Sequence, residues 1–238
     1  VIPCAGIGSR AGSGVPKQYR ALAGRSVVAH TVEAFRALSP RWAGLWLVVA
    51  PDDRGVESAV PGFPAGAERL LREGGASRAH TVFNALEALR RDGARDLDWV
   101  LVHDAARCLV TPAQIEALVA ACENDAVGGL LARPVSDTLK SARIRGHAPR
   151  VDATLARDDK WLAQTPQMFR LGLLARSLAV ALAQGADAIT DESGAIEAAG
   201  HAPLLVPGSA LNFKLTYPED FALADAVLRG RANERSTP

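Results

Sequence analysis

Short apolar runs that alternate with amphipathic segments constrain this chain of 238 residues more than any other feature. The apolar runs cover residues 1–5, 45–50, 99–103 and 127–132, and segments with helical spacing of apolar side chains lie between them. Such runs are typical of strands buried on both faces, and strand–helix alternation is typical of a parallel sheet. We therefore predict an α/β fold with a mostly parallel twisted sheet flanked by helices, in a single domain over residues 1–238.

Local signals mark several element boundaries. Ser26 and Ser77 are suited to cap helices, and Thr111 followed by Pro112 is a strong helix start. Residues 133–160 interrupt the alternation with proline, glycine and many charges, which suggests a β-arm that leaves the sheet. The later elements are expected to be a helix over 171–184, strands over 203–206 and 212–215, and a helix from 218 with a frayed tail from 230.

The charge balance and the cysteines narrow the function class. Lysine and arginine total 27 against 26 acidic residues, so the net charge of +1 gives no bulk attraction to nucleic acid. No apolar run indicates a membrane span, and the first residues do not resemble a signal peptide. Cys4, Cys108 and Cys122 form no C-x-x-C pair and no zinc spacing, which fits a reducing cytoplasm.

The first eighteen residues, VIPCAGIGSRAGSGVPKQ, combine an apolar start with a glycine-rich bend. Glycines such as Gly6 and Gly8 let backbone N–H groups crowd around an anion, and Arg10 and Lys17 add side-chain charge. This combination indicates a polyphosphate site. The Walker pattern fails because Lys17 is followed by glutamine. A dinucleotide-binding loop of the type G-x-G-x-x-A and a plain glycine-rich turn remain open.

A second polar motif, HDAAR, directly follows the apolar run WVLV. In open α/β sheets the carboxyl ends of strands line the site, so Asp104, beside the small Ala105, is a candidate for work on a metal or hydroxyl near a phosphate. The alternative is an aspartate that caps a turn and pairs with Arg107, and these residues alone leave both open. His103 is expected to be structural.

Weaker signals are scattered along the rest of the chain. Gly75 precedes a helix start and could give a base or phosphate close backbone access. Thr138 and Arg157 in the expected arm could grip a phosphate. Thr190 lies in a polar stretch between apolar helices, and Lys214, one of few lysines, lies in an apolar stretch.

Taken together and in order, these motifs resemble the 2-C-methyl-D-erythritol 4-phosphate cytidylyltransferases, a family of the nucleotidyltransferase, glycosyltransferase-A-like superfamily. The resemblance extends from residue 1 to about residue 228. The stretches that carry it are AGIGSRAGSGVPKQY, GGASRAHTV, LVHDAAR, PVSDTLK, R-x-x-x-W, QTPQMF, TDE and NFKLT.

The resemblance implies transfer of a cytidylyl group from CTP to 2-C-methyl-D-erythritol 4-phosphate, with Mg²⁺ and release of pyrophosphate, in non-mevalonate isoprenoid biosynthesis. It implies catalytic roles for Arg10, Lys17 and Lys214 at the phosphates and for Asp104 near the acceptor. It also implies a homodimer that exchanges the arm of residues 133–160. The residues that it implies for the cytidine part are Ala5, Gly6, Gly75 and Thr81, and those for the methylerythritol phosphate are Arg107, Thr138, Arg157 and Thr190. Gly8 and Ala105 are further substrate-binding residues that it implies.

Three alternatives remain at this stage. A related cytidylyltransferase for ribitol 5-phosphate would share the fold and the triphosphate loop. A nicotinamide-dependent oxidoreductase would use the glycine-rich loop for a dinucleotide and release no pyrophosphate. A regulator without catalysis would bind CTP but not turn it over.

Overall fold

The structure, a computed structural model, describes residues 1–6, 15–38, 42–185 and 189–236. The strands in these ranges are β1 (Ile2–Pro3), β2 (Ala21–Leu22), β3 (Arg25–Ser26), β4 (Leu45–Val48), β5 (Glu68–Leu71), β6 (Trp99–Val102), β7 (Gly128–Pro134), β8 (Leu139–Arg145), β9 (Ala148–Leu155), β10 (Trp161–Arg170) and β11 (Leu204–Pro207). The helices are α1 (Val27–Arg36), α2 (Val56–Ala59), α3 (Arg78–Arg91), α4 (Pro112–Cys122), α5 (Leu171–Ala183), α6 (Glu192–Ala198) and α7 (Pro218–Ser236), with a short 3-10 helix at Lys17–Tyr19.

The central strands lie in the order β5-β4-β1 and β6-β10-β7-β11. The backbone of Val1 joins the two groups, because its nitrogen donates to Leu101 at 2.7 Å and its carbonyl accepts from His103 at 3.0 Å. This is the bonding pattern of a parallel pair. Strand β10 runs antiparallel to both β6 and β7, while the other paired strands of these groups run parallel, so the predicted mostly parallel α/β sheet is confirmed.

Helices cover both faces of this sheet. On one face, α1 and α4 bury Val32, Phe35 and Ile115 against the strands. On the other face, α3, α5 and α6 bury a second cluster that includes Leu86 and Leu174. A third cluster packs α7 beside the segment that follows β6. Both faces of the sheet are therefore covered by helices, and only its edges can hold a ligand.

Helix starts follow the predicted caps. The side chains of Ser26 and Ser77 accept backbone hydrogen bonds at the starts of α1 and α3, and Thr111 forms a capping box with Gln114 at α4. No helix in the described ranges combines the length and the apolar character that a membrane crossing requires.

Two expectations near the carboxyl terminus are wrong. Residues 212–215 form no strand, because tertiary contacts replace a strand ladder there: the Leu215 nitrogen donates to Ala106 at 2.9 Å and the buried Asn212 amide donates to Thr165. The frayed tail expected from Gly230 is instead helical through Ser236, where α7 ends.

Residues within the expected arm form a two-stranded antiparallel ribbon. Strands β8 and β9 pair from Leu139 opposite Leu155 to Arg145 opposite Ala148, and Gly146 supplies a positive φ of 67° at the turn. All of β9 is exposed, and Ile144 and Val151 are 82% and 67% exposed. The ribbon is thus a separate sheet that carries apolar side chains in the open.

Candidate active site

The candidate site is built where β6 ends, at the carboxyl edge of the sheet. The chain leaves β6 through His103 and Asp104, both of which are buried. The Asp104 nitrogen donates to the Thr165 hydroxyl at 3.0 Å. This bond fixes the carboxylate at a strand end, where α/β proteins place their ligands.

Three cations surround the Asp104 carboxylate. Arg78 Nε lies 2.8 Å from Oδ1, Lys214 Nζ lies 2.9 Å from Oδ2, and Arg107 Nε lies 3.6 Å from Oδ2. The Arg107 guanidinium is held in turn by the carbonyls of Asn212, at 2.7 Å, and Ala163. We call these four side chains, with Glu192, the Asp104 cluster.

Glu192 is the second anion of the cluster. Its carboxylate is 1% exposed and accepts both terminal nitrogens of Arg78, at 2.7 and 3.0 Å. It occupies the first turn of α6, which Asp191 caps by accepting from Gly194. Arg78 therefore bridges two carboxylates that come from distant parts of the chain.

The electrostatics of the cluster favour the ionised forms of Asp104 and Arg78. Burial alone would raise the pKa of Asp104, but Arg78 and Lys214 outweigh it and hold this pKa well below its usual range. Burial likewise acts to lower the pKa of Arg78, and the two carboxylates more than reverse it. Within the cluster three cations face two anions, and the charge of Asp191 also acts on Arg107.

His103 is neutral and its tautomer is fixed by its partners. Its Nε2 lies 3.1 Å from the Arg107 carbonyl, which can only accept, so Nε2 carries the proton. The unprotonated Nδ1 then accepts from the Thr165 hydroxyl at 3.1 Å. Burial lowers the pKa of His103 to about 3. The histidine thus ties both ends of the HDAAR turn to β10 without carrying charge.

An irregularity in β10 supplies the opposite wall. The pairing of β10 with β7 shifts between Ala163 and Gln167, so the intervening residues bulge out of the ladder. The Asn212 amide nitrogen donates to the Thr165 carbonyl at 2.9 Å and to Gln164 Oε1 at 3.3 Å. The bulge therefore anchors the segment that carries Lys214.

Lys17 reaches the same segment from the other end of the chain. Its Nζ donates to the Leu215 carbonyl at 2.8 Å, one residue beyond Lys214. The buried Gln18 amide donates to the carbonyls of Cys4 and Gly6 at 3.0 and 2.8 Å, and so holds the end of the β1 segment. The two predicted catalytic lysines are thus brought to one place.

The residues predicted to contact cytidine also meet. The Gly75 nitrogen donates to the Thr81 hydroxyl at 3.0 Å, within the start of α3. A Cβ on Gly74 would lie 2.4 Å from the Ala5 Cβ, and one on Gly75 would lie 2.5 Å from the His80 Cβ. Only glycine permits this approach, so Gly74 packs against Ala5 and Gly75 packs against the first turn of α3.

Other predicted residues lie elsewhere. Ala105 is buried beside Asp104, and its carbonyl accepts from Thr31. Thr190 is exposed just before α6, Thr138 is exposed just before β8, and the exposed Arg157 donates to the Ser136 carbonyl. The structure does not join these last three to the Asp104 cluster through an ion pair or hydrogen bond among the described residues. Gly8 and Arg10 lie outside the described residues.

Sequence reasoning found Arg107 and Lys214 but missed Arg78, the third partner of Asp104, and Glu192, which pairs with Arg78. Arg78 and Glu192 stood in motifs that were noted, but they were not predicted as site residues, and neither were Gln164 and Asn212. A signal existed for Arg78, which follows the helix cap Ser77 directly after the glycine pair. Nothing local marks Glu192, whose partner lies 114 residues away.

The described residues offer no thiol nucleophile and no protein-built metal centre. Burial raises the pKa of Cys4 and Cys108 to about 12 and that of Cys122 to about 11, so the thiolates are disfavoured. In the ranges that the structure describes, no three His, Cys, Asp or Glu side chains gather as metal ligands. Asp104 itself faces cations, which opposes a metal ion at its carboxylate.

A cavity of about 680 Å³ lies at the opposite, amino edge of the sheet, near the starts of β4 and β6. Trp42, Trp46 and Trp99 contribute to its wall. Its charged lining comprises Arg36, Glu68, Asp92 and Asp98, so anions outnumber cations. This lining repels a polyphosphate, and the Asp104 cluster remains the better anion site.

This chain is similar to known proteins over nearly its whole length. The family profile described as IspD, 2-C-methyl-D-erythritol 4-phosphate cytidylyltransferase, matches residues 1–230. The 2-C-methyl-D-erythritol 4-phosphate cytidylyltransferase of Paraburkholderia phytofirmans is 52% identical over 228 residues, which cover 96% of this chain and 94% of that protein. A bifunctional IspD/IspF enzyme of Albidiferax ferrireducens is 55% identical over 239 residues, and this chain spans 54% of its length.

Solved structures show the same fold. A crystal structure of 4-diphosphocytidyl-2C-methyl-D-erythritol synthase superposes with a TM-score of 0.80 at 38% identity, covering 95% of each chain. The 2-C-methyl-D-erythritol 4-phosphate cytidylyltransferase of Thermus thermophilus gives a TM-score of 0.76 at 30% identity, covering 96% of this chain and 97% of that one. With a family profile over nearly its whole length and relatives more than half identical to it, this chain belongs to the IspD family of 2-C-methyl-D-erythritol 4-phosphate cytidylyltransferases.

Proposed function

We propose that this chain transfers a cytidylyl group from CTP to 2-C-methyl-D-erythritol 4-phosphate, forming 4-CDP-2-C-methyl-D-erythritol and pyrophosphate in isoprenoid biosynthesis. Family membership supports the activity. The observation that carries it at the level of residues is the hydrogen bond from Lys17 Nζ to the Leu215 carbonyl, next to Lys214 of the Asp104 cluster. A site for two phosphorylated substrates needs fixed cations of this kind.

The chemistry follows from the charges of the reactants. An oxygen of the acceptor phosphate attacks the α-phosphorus of CTP, and a new P–O bond forms. The bond from the α-phosphorus to the bridging oxygen breaks, and pyrophosphate leaves with the electron pair. A phosphate monoester is already anionic at neutral pH, so the step needs no general base.

The barrier arises mainly from repulsion between two anions. Lys17 and Lys214 would lie on the phosphates, offset this repulsion and stabilise charge that grows on the leaving oxygen. Their ammonium groups are tethered by the Leu215 carbonyl and by Asp104, so little reorganisation is needed on binding. Arg10 is proposed as a third cation of the triphosphate site, together with backbone groups of Gly6 and Gly8.

Substrate contacts are proposed in two groups. Ala5, Gly75 and Thr81 would contact the cytidine part, supported by their close packing at the start of α3. Ala105, Arg107 and Thr190 would contact the acceptor side, together with Thr138 and Arg157 of a second subunit. Mg²⁺ enters as part of the nucleotide substrate, because a divalent ion with oxygen preference is bound readily by polyphosphates.

The decisive experiment is a pyrophosphate-release assay with CTP, Mg²⁺ and either 2-C-methyl-D-erythritol 4-phosphate or ribitol 5-phosphate. We expect release with the first acceptor and little with the second. Faster pyrophosphate release with ribitol 5-phosphate would show that this compound is the acceptor instead. CTP binding without pyrophosphate release would refute the catalytic role.

We also propose a homodimer that uses the arm of residues 133–160. The support is an exposed two-stranded ribbon, because such ribbons are marginally stable alone and this one carries exposed Ile144 and Val151. Sedimentation equilibrium of the parent and of Ile144→Lys tests it. The parent should be dimeric and the variant should dissociate more readily, whereas a monomeric parent would refute the proposal.

A cytoplasmic location is the last part of the proposal. All three cysteines are free and buried, and intracellular reducing conditions keep thiols in this state. Fractionation of a native host with an antibody to this chain checks it, and recovery outside the cytoplasm would contradict it.

A further inference from the structure

Arg78 occupies an unusual place between the two proposed substrate regions. Its backbone begins α3, one residue after the cap Ser77 and close to Gly75, on the proposed cytidine side. Its side chain points to Asp104 and Glu192, which belong to the proposed acceptor side. One guanidinium therefore connects segments that no strand ladder joins.

All three nitrogens of the planar Arg78 guanidinium donate hydrogen bonds to carboxylates. Nε donates to Asp104 Oδ1 at 2.8 Å, while the two terminal nitrogens donate to Glu192 at 2.7 and 3.0 Å. Both carboxylates are almost completely buried, at 9% and 1% exposed. A lysine could not reproduce this arrangement, because an ammonium is a point charge without a fixed fork.

The consequence reaches Lys214. With Oδ1 held by Arg78, the other oxygen of Asp104 is directed at Lys214 Nζ, 2.9 Å away. With Glu192 held by Arg78, the start of α6 is fixed two residues after Thr190. The position of a proposed catalytic ammonium and that of a proposed acceptor contact thus depend on the same side chain.

Resting on the proposed function, we propose that Arg78, with Glu192, is a positioning residue that couples the nucleotide side of the site to the acceptor side. It acts through Asp104 on Lys214 and through Glu192 on the segment that contains Thr190. It is not assigned a contact with the reacting atoms. A misplacement of about 1 Å in such groups can cost about a hundredfold in rate, so the effect on turnover should be large.

A purely structural ion pair is the competing explanation, and a charge-balanced double variant separates the two. Arg78→Met alone leaves two buried carboxylates short of a partner and should lower the melting temperature. Arg78→Met/Glu192→Gln removes one cation and one anion together, so the melting temperature should recover towards that of the parent. The kcat of the double variant should nevertheless stay at least about tenfold below the parent.

The control is the same exchange in an exposed pair at the amino end of β6. Arg95 and Asp98 form an ion pair of 3.0 Å with the arginine 83% exposed, and Arg95→Met/Asp98→Asn should keep kcat within about twofold. A second test uses Glu192→Gln alone, which leaves Arg78 on Asp104 but loosens α6. Its KM for the acceptor should rise about tenfold while its KM for CTP changes less than about twofold.

The parent assay with CTP and 2-C-methyl-D-erythritol 4-phosphate tests the proposed function by itself, so failure there is distinct from failure of this inference. With an active parent, a double variant whose kcat recovers to within about twofold would make Arg78 purely structural. If the double variant does not fold, an unchanged KM for the acceptor in Glu192→Gln overturns the inference.

Discussion

Two arginine–carboxylate pairs in this protein have the same length and different surroundings. Arg78 and Asp104 at the candidate site are 2.8 Å apart, and so are Arg143 and Asp152 in the β8–β9 ribbon. Asp104 is 9% exposed and belongs to a network of five charges, whereas Asp152 is 31% exposed and Arg143 is 69% exposed. Distance alone therefore does not determine how much each pair contributes to stability. Solvent screens the ribbon pair, whereas the buried network depends on every member.

The comparison extends to the two halves of the proposed site. The cations beside β6 are fixed by the folded body of this chain before any substrate binds. Thr138 and Arg157, at the ends of the ribbon, are exposed and lack such support within the cluster. One half is preorganised, and the other half would be completed by a second copy.

The largest expected effect comes from removing the centre of the network. Asp104→Ala leaves Arg78, Arg107 and Lys214 without their shared anion, and should cost about 3–5 kcal/mol in the free energy of unfolding. Urea denaturation at pH 7 measures it. A loss below about 1 kcal/mol would show that the network is no more than a set of surface pairs.

Catalysis should be sensitive to both lysines, because the proposed function places them on the reacting phosphates. Lys17→Ala or Lys214→Ala should lower kcat by about 100- to 1,000-fold, equivalent to about 2.7–4 kcal/mol, by analogy with removal of an oxyanion donor. Steady-state pyrophosphate release measures it, and circular dichroism checks the fold. Arg176→Ala is the control, since Arg176 lies outside the arm, is 66% exposed and pairs with Asp96. Near-parent kcat in both lysine variants would remove these residues from the mechanism.

Acid should lower the free energy of unfolding through the buried His103. Its folded-state pKa of about 3 lies below the ordinary 6.5, so the unfolded chain binds the extra proton first as the pH falls. Stability from this group is complete above about pH 6.5 and falls towards pH 3, by about 2 kcal/mol between pH 7 and pH 5. Urea denaturation at pH 7 and pH 5 should show a smaller pH-dependent loss of stability, and so a smaller slope, in His103→Gln than in the parent. An equal slope in parent and variant would contradict it.

The smallest effect is expected in the ribbon. Asp152→Ala breaks an ion pair as short as that of Asp104, yet the free energy of unfolding should change by less than about 0.5 kcal/mol because both partners reach solvent. The measurement is the same urea titration used for Asp104→Ala. A cost comparable to that of Asp104→Ala would mean that the ribbon pair is buried in the assembled protein.

Local pattern was enough to predict the sheet, the helix caps and the position of Asp104. The run WVLV before HDAAR identifies a strand end, and strand ends in α/β sheets line sites, so this prediction needed no tertiary information. The TDE stretch is typical of a turn and helix cap, and Asp191 does cap α6.

The misses have a common physical cause. Residues 212–215 resemble a strand locally, but their backbone and side chains bond instead to Ala106 and to the β10 bulge. Glu192 follows a helix cap and would ordinarily face solvent, yet it is buried because Arg78 meets it from 114 residues away. Partners this distant are set by packing of the whole sheet, and no local spacing encodes them.

The most direct test of the account is a crystal structure of this protein with CTP and Mg²⁺. We expect the triphosphate at the carboxyl edge of the sheet, with Lys17 and Lys214 Nζ about 2.7–2.9 Å from its oxygens. The cytosine should rest beside Ala5 and Gly75. A triphosphate bound away from both lysines, for example in the tryptophan-lined cavity at the amino edge, would contradict the central claim that fixed cations beside Asp104 bind the reacting phosphates.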